Sequence, residues 1–214
     1  MLDIMKRTIV TLFLVGGGIL FGYLSLHGRQ TVTMVLPSLS VGALPTGTAE
    51  DDIPLAGASA RTTRKKFGIY VTPRKSPVSP ERFTGYHTGL DFETYPQEQN
   101  TVVTVRALCD GKLILKKYAT GYGGVAVESC TFNGQAVTVV YGHLNVNSIH
   151  SSLNAVVHRG DAIGALGKGY STQTDGERKH LHLGIHRGTA IDIRGYVRRS
   201  TDLKSWIDPA TLLP

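Results

Sequence analysis

The chain has 214 residues, a formal net charge of +7 and two cysteines, with 25 glycines and nine prolines breaking it into short elements. That length accommodates one globular domain with a sizeable core plus tails rather than two full domains. The basic balance suits association with anionic polymers, and Arg194, Arg198, Arg199 and Lys204 form a basic C-terminal stretch. The absence of a base-reading motif argues against nucleic acid, and a solvated basic face is the default.

Lys6 and Arg7 precede Thr8 to Leu26, 19 residues without a charge. As a helix rising about 1.5 Å per residue, this run crosses nearly 30 Å of hydrocarbon. It reads as a transmembrane anchor or a signal sequence. No small-x-small cleavage site follows it, since Leu24-Ser25-Leu26-His27-Gly28-Arg29 fits poorly, and this favours an uncleaved anchor. The three glycines Gly16 to Gly18 weaken a helix and count the other way. The basic start holds residues 1–7 in the cytoplasm, placing the rest of the chain outside: a single-pass membrane protein, or a secreted one if the segment is cleaved.

Residues 27–65 are rich in Ser, Thr, Gly, Ala and Pro, with an acidic cluster at Glu50-Asp51-Asp52 and a basic one from Arg61 to Lys65. This stretch reads as a linker, in which Thr31 to Leu36 could form an edge strand. From residue 66 to 214 short β-rich runs dominate. They are Phe67 to Val71, Leu90 to Glu93, Val102 to Ala107, Gly111 to Tyr118, Val125 to Ser129, Ala136 to Gly142, Ala162 to Leu166 and His180 to His186. Glycine or asparagine clusters separate them, which predicts a mainly β domain with antiparallel sheets. Ser148 to Leu153 is a possible short helix. Gly111 to Tyr118 and Val125 to Ser129 form the arms of a hairpin turning near Gly121, a register that brings Cys109 and Cys130 together at its open end. An exported domain permits a disulfide there; a reduced buried pair is the alternative.

Three segments carry the chemistry: Tyr86-His87-Thr88-Gly89-Leu90-Asp91, Tyr141-Gly142-His143-Leu144 and His180-Leu181-His182. Together they supply four histidines and a carboxylate, enough for a three-ligand zinc site with two further proton-handling groups. In a strand His180 and His182 lie on one face about 6.5–7 Å apart, so both enter one cleft while only one touches a given ion. His186 shares that face but lies about 13 Å from His182, too far for the same ion. His27, His150 and His158 have no partner motif and read as solvated, and Ser129 and Cys130 show no nucleophile pattern. Tyr86 and Tyr141 abut the key histidines and either line the cleft or pack. There is no His-Glu-x-x-His, so a helix-borne glutamate is not the general base. Glu177 is the nearest acidic residue to the last motif, leaving proton transfer to histidine.

These residues resemble the lysostaphin-type, or LytM-like, zinc metallopeptidases. His87-Thr88-Gly89-Leu90-Asp91 is similar to their His-x-Gly-x-Asp, Tyr141-Gly142-His143-Leu144 to their Tyr-x-His-Leu, and His180-Leu181-His182-Leu183 to their His-Leu-His-Phe. Cys109-Asp110-Gly111-Lys112-Leu113-Ile114, Gly121 to Val127 and Gly160 to Gly167 resemble the connecting segments, so the likeness runs from about Tyr70 to Pro209. It implies a two-sheet antiparallel β fold (duplicated hybrid motif) with motifs on neighbouring strands converging on a groove. It further implies that His87, Asp91 and His182 bind Zn2+, that His143 and His180 flank the metal-bound water, and that the substrate is the amide bonds of peptidoglycan cross-link or stem peptides. A noncatalytic adaptor that activates another cell-wall hydrolase is the alternative; such proteins share the fold but usually lack some ligands, whereas the five positions here are filled. Two departures stand out. The run Lys168 to Lys179 is longer and more charged than the family's Ser-Thr-Gly-rich loop and should lie at the cleft rim, where it bears on substrate preference. Leu183-Gly184 replaces Phe-Glu, which bears on hydrogen bonding behind the site.

Overall fold

The structure, a computed structural model, describes residues 53–212. The expected cytoplasmic tail, apolar segment, edge strand and most of the linker lie outside those residues, and among the described residues no helix is long and apolar enough to cross a membrane.

Among the described residues thirteen strands follow in chain order: β1 (Tyr70–Val71), β2 (Gly85–His87), β3 (Gly89–Glu93), β4 (Thr104–Arg106), β5 (Gly111–Ala119), β6 (Gly123–Phe132), β7 (Gln135–Gly142), β8 (Leu144–Asn145), β9 (Val156–Val157), β10 (Ala162–Leu166), β11 (His180–Arg187), β12 (Tyr196–Val197) and β13 (Trp206–Ile207). Hydrogen bonding divides them into three sheets rather than two. The largest runs β13-β11-β7-β6-β5-β9, with β3 joining β11 beside β13; the smaller ones run β1-β2-β12 and β4-β10-β8. All pairs are antiparallel, as the glycine-punctuated short runs predict.

Strand alternation sorts the side chains of the large sheet onto two faces. Leu181, Leu183 and Ile185 of β11, Val137, Val139 and Tyr141 of β7, Ala126 of β6 and Leu90 and Phe92 of β3 enter the main core, with Val105, Ile163 and Leu144 from the smaller β4-β10-β8 sheet. The opposite face carries His180, His182, Gly184 and His186 of β11, and packs Tyr122, Val125, Val127, Val140 and Trp206 into a second apolar cluster.

The packed domain starts earlier than the sequence suggests. Ile53, Leu55 and Ala58 are buried in the main core, and Arg61 is held by Glu98 at 2.7 and 2.8 Å, so the expected boundary at residue 66 falls inside packed structure. From Thr62 to Ile69 the chain lies along β2 and β3: Glu93 N–H donates to Thr62 O, Asp91 N–H to Lys65 O and His87 N–H to Ile69 O. Those bonds satisfy backbone groups that isolated short strands would leave open.

Ser148 to Leu153 is not a helix. A 3-10 turn occupies Val146–Ser148, and Ile149 is extended and buried. Ser148 Oγ donates to Asn145 O and accepts from Ala165 N, offering the backbone a local alternative to helix. Lys116 Nζ takes the carbonyls of Ile149 and Ser151, which a continuing helix would have used. Cys109 and Cys130 form a disulfide at the open end of the β5–β6 hairpin, where Gly111 pairs with Cys130.

Candidate active site

Strand register assembles the site. On β11 His182 lies between Asp91 of β3 and Gly142 of β7, so the carboxylate and imidazole are nearest cross-strand neighbours. Thr88 separates β2 from β3 and folds His87 back over Asp91; its N–H and Oγ1 bind Gly195 O and Arg194 O, fixing the turn. The glycine of the His-x-Gly-x-Asp pattern has a steric reason: a Cβ at Gly89 would sit 2.4 Å from Leu183 O and 2.7 Å from the His182 ring.

Three donor atoms converge. His87 Nε2 lies 3.0 Å from His182 Nδ1, and Asp91 Oδ1 lies 3.3 Å from each. His87 Nδ1 is 3.2 Å from Lys66 O, which only accepts, so in the neutral ring the proton sits there and Nε2 presents a lone pair. Only His182 could place a proton among the three atoms, whereas a cation satisfies all three together. A tetrahedral ion with bonds of about 2.0–2.1 Å has ligand–ligand edges of about 3.3–3.4 Å, so the triangle fits one with little movement. All three residues are buried. Burial opposes ionisation of Asp91, but the adjacent His180 and His87 and its hydrogen bonds hold the carboxyl well below the usual range. Burial pushes the His182 imidazole down to about 4, leaving it neutral and able to ligate.

His180 and His143 stand beside this triangle with ring centroids 4.2 Å apart. His180 Nδ1 donates to Arg178 O at 2.9 Å, which turns Nε2 toward Asp91 Oδ2 at 3.2 Å. His143 occupies the junction of β7 and β8 at φ 62, a left-handed conformation uncommon for a side chain of this size, and Gly167 N–H pins its carbonyl at 2.8 Å. Burial, with His180 nearby, pushes its pKa well down, and its Nδ1 has no hydrogen-bond partner. The five residues read from the sequence thus meet at one cleft of ≈ 340 Å³.

Other side chains in this cleft carried weaker sequence signals. Tyr122 lies against both His143 and His182; its hydroxyl is buried and unpartnered, and burial raises its pKa, so it remains a neutral donor. Gly142 makes room for it, since a Cβ there would lie 2.5 Å from the Tyr122 ring. Tyr196 packs on His87, and its hydroxyl accepts from Lys65 Nζ at 2.7 Å. Glu177 reaches the rim, where Arg82 bridges it and Asp175 at 3.2 and 3.1 Å. Asp175 also accepts from Gly121 N–H, so the charged 168–179 loop is tied to the β5–β6 turn. At the departure after the last motif, Gly184 leaves space for Trp206, and His182 Nε2 has no hydrogen-bond partner.

The remaining sequence candidates fall elsewhere. Tyr141 is core, donating to Glu128 Oε2 at 2.5 Å and accepting from Leu108 N–H, and Tyr86 packs at a tilt against Tyr70. His186 packs on Trp206, while His150 and His158 are exposed. In the basic C-terminal stretch Arg194 pairs with Asp192 and Arg199 with Asp202.

A mainly β protein whose strands converge two histidines and an aspartate, flanked by two more histidines, has the donor set of a metal-dependent hydrolase. The sequence model of Peptidase family M23 matches residues 85–193, and the chain belongs to that family. Among solved structures it is similar to LytU (21% identity, 70% of this chain and 81% of that one, TM-score 0.47). It is also similar to CbpA from L. salivarius REN (23%, 71% and 85%, 0.44) and to a putative peptidase M23 from Pseudomonas aeruginosa (20%, 70% and 54%, 0.42). No curated protein matches the sequence.

Proposed function

We propose that this chain is a zinc-dependent endopeptidase that hydrolyses amide bonds in peptidoglycan cross-link or stem peptides, held at the outer face of a membrane by residues 8–26. The observation that carries the reading is the triangle of His87 Nε2, Asp91 Oδ1 and His182 Nδ1 with edges of 3.0–3.3 Å, beside two further buried histidines.

His87, Asp91 and His182 would hold the ion. A bound zinc supplies Lewis-acid polarisation of the scissile carbonyl and a water acidic enough to act as nucleophile near neutral pH. Proton transfer falls to His143 and His180. His143 is kept neutral by burial and can take a proton from the attacking water or return one to the leaving amine. His180 has its Nδ1 proton committed to the Arg178 carbonyl, so Nε2 is the exchanging nitrogen, and Asp91 Oδ2 at 3.2 Å accepts from it once protonated. Tyr122 and Tyr196 stay neutral and wall the cleft with phenol groups.

The adaptor alternative needs no intact set of ligand and proton-handling residues, and the completeness of the set favours the enzyme. Incubating the purified chain with peptidoglycan and identifying fragments by mass spectrometry decides between them. New amide-derived termini, abolished by a chelator and restored by zinc, are expected. A zinc-loaded protein that never cuts but stimulates a separate amidase makes it an adaptor.

A further inference from the structure

We infer that Lys65 and Arg178 form a cationic clamp on the outer oxygen of Asp91 that confines the carboxylate to one metal bond and weakens the site's hold on its ion. This rests on the reading that His87, Asp91 and His182 bind a divalent metal.

Asp91 has two oxygens with different surroundings. Oδ1 faces the two histidine nitrogens of the triangle. Oδ2 accepts from Arg178 Nη2 at 2.9 Å, with His180 Nε2 at 3.2 Å and Lys65 Nζ 3.8 Å away. The aspartate side chain is 1% exposed, Lys65 5% and Arg178 12%, so these charges meet with little water between them. Arg178 is itself anchored by Glu93, and Lys65 by Glu81 at 3.5 Å and the Tyr196 hydroxyl at 2.7 Å. Neither cation can swing away from Asp91 without abandoning a second partner.

Two consequences follow from elementary electrostatics. With Oδ2 engaged, the carboxylate can offer only Oδ1, so a coordination position stays open for water. Lys65 and Arg178, whose charge Glu81 and Glu93 offset only in part, oppose a dication held at Asp91, and by drawing electron density from that carboxylate they would leave the ion more electrophilic. Arg178 belongs to the charged loop that replaces the family's small, polar one, and Lys65 to the segment along β3, so the clamp is built by the parts of the chain outside the three motifs.

The experiment is a zinc titration of the purified full chain against a competing chelator, comparing wild type, R178Q, R178K and H182A, with cobalt absorption reporting the coordination. R178Q keeps a hydrogen-bond donor and removes the charge; R178K keeps the charge. Tighter zinc binding by roughly tenfold or more in R178Q, with R178K close to wild type, is expected. Unchanged or weaker binding in R178Q, or an equal change in R178K, overturns the clamp and leaves Arg178 an orienting residue. Should R178Q not fold, K65Q carries the same comparison with a smaller shift in the same direction. If H182A binds zinc as wild type does, the metal reading itself is wrong, an outcome separate from failure of the clamp.

Discussion

Glu128 tests whether the buried face of the β6–β7 pair governs stability as its surroundings require. The carboxyl is 0% exposed, Tyr141 donates to its Oε2 at 2.5 Å, and Oε1 has no hydrogen-bond partner. Burial raises its pKa from 4.5 to about 7, with the Tyr141 hydrogen bond opposing that shift only in part. The folded state therefore holds a proton more tightly than the unfolded chain, so stability is fully present below about pH 4.5 and falls as pH rises toward 7. At about 1.4 kcal/mol per pH unit, the loss across this window is roughly 3 kcal/mol. Glu128→Gln keeps an oxygen for the Tyr141 hydroxyl and cannot ionise. Urea unfolding at about pH 5, 6, 7 and 8, with the disulfide intact and a chelator present, compares the two proteins. The variant should gain on wild type with rising pH, by up to roughly 3 kcal/mol at pH 8, with unchanged slope against urea. A difference that stays flat from pH 5 to 8 refutes the reasoning, since the carboxyl would then ionise as freely in the fold as in water.

The other expectations follow from the cleft, the disulfide and the apolar segment. Replacing His87, Asp91 or His182 by alanine should lower both zinc content and hydrolysis, because each would supply one of three protein donors. His143→Ala and His180→Ala should keep the zinc, measured by metal analysis, yet slow cleavage by about 100-fold or more; an empty site in His180→Ala with a filled one in His182→Ala reverses the two roles. Reducing Cys109–Cys130, 21 residues apart in sequence, should lower unfolding stability by roughly 3 kcal/mol in the chain-entropy account, and two freely alkylated thiols in protein from the periplasm or medium would remove the bond from the exported form. The full-length chain should stay in the membrane fraction after a high-salt wash, with its C-terminal domain open to protease in spheroplasts; a soluble form beginning after residue 26 selects the cleaved alternative.

The long strands were legible because alternation and glycine punctuation are local signals. Ala162–Leu166 has the predicted bounds, and β5, β7 and β11 each extend the predicted run by one residue and β6 by five. The two-residue strands β8, β9, β12 and β13 have no period to read; they exist because a longer neighbour offers an edge, as β11 does for Trp206–Ile207. Residues 53–65 read as linker because their small and polar composition hides the few buried side chains, Ile53, Leu55 and Ala58, and because the partners that bury Arg61, among them Glu93 O and the Glu98 carboxylate, lie 32 and 37 residues away.

The site divides along the same physical line. His87, Asp91, His143, His180 and His182 could be picked out because strand periodicity and short turns fix their spacing within each segment, and the donor chemistry leaves few alternatives. Lys65 and Arg178 lie in stretches without period, and what brings them to Asp91 is the tertiary path: Lys65 through the backbone bond from Asp91 N–H to its own carbonyl, Arg178 through a loop tied down by Arg82, Asp175 and Gly121. The donor triangle is thus written in motifs, while the charge that surrounds it is set by the path of the chain between them. On the clamp proposed above, two chains with identical motifs would differ in metal affinity, and here the residues concerned are a lysine read as linker and an arginine two positions before His180.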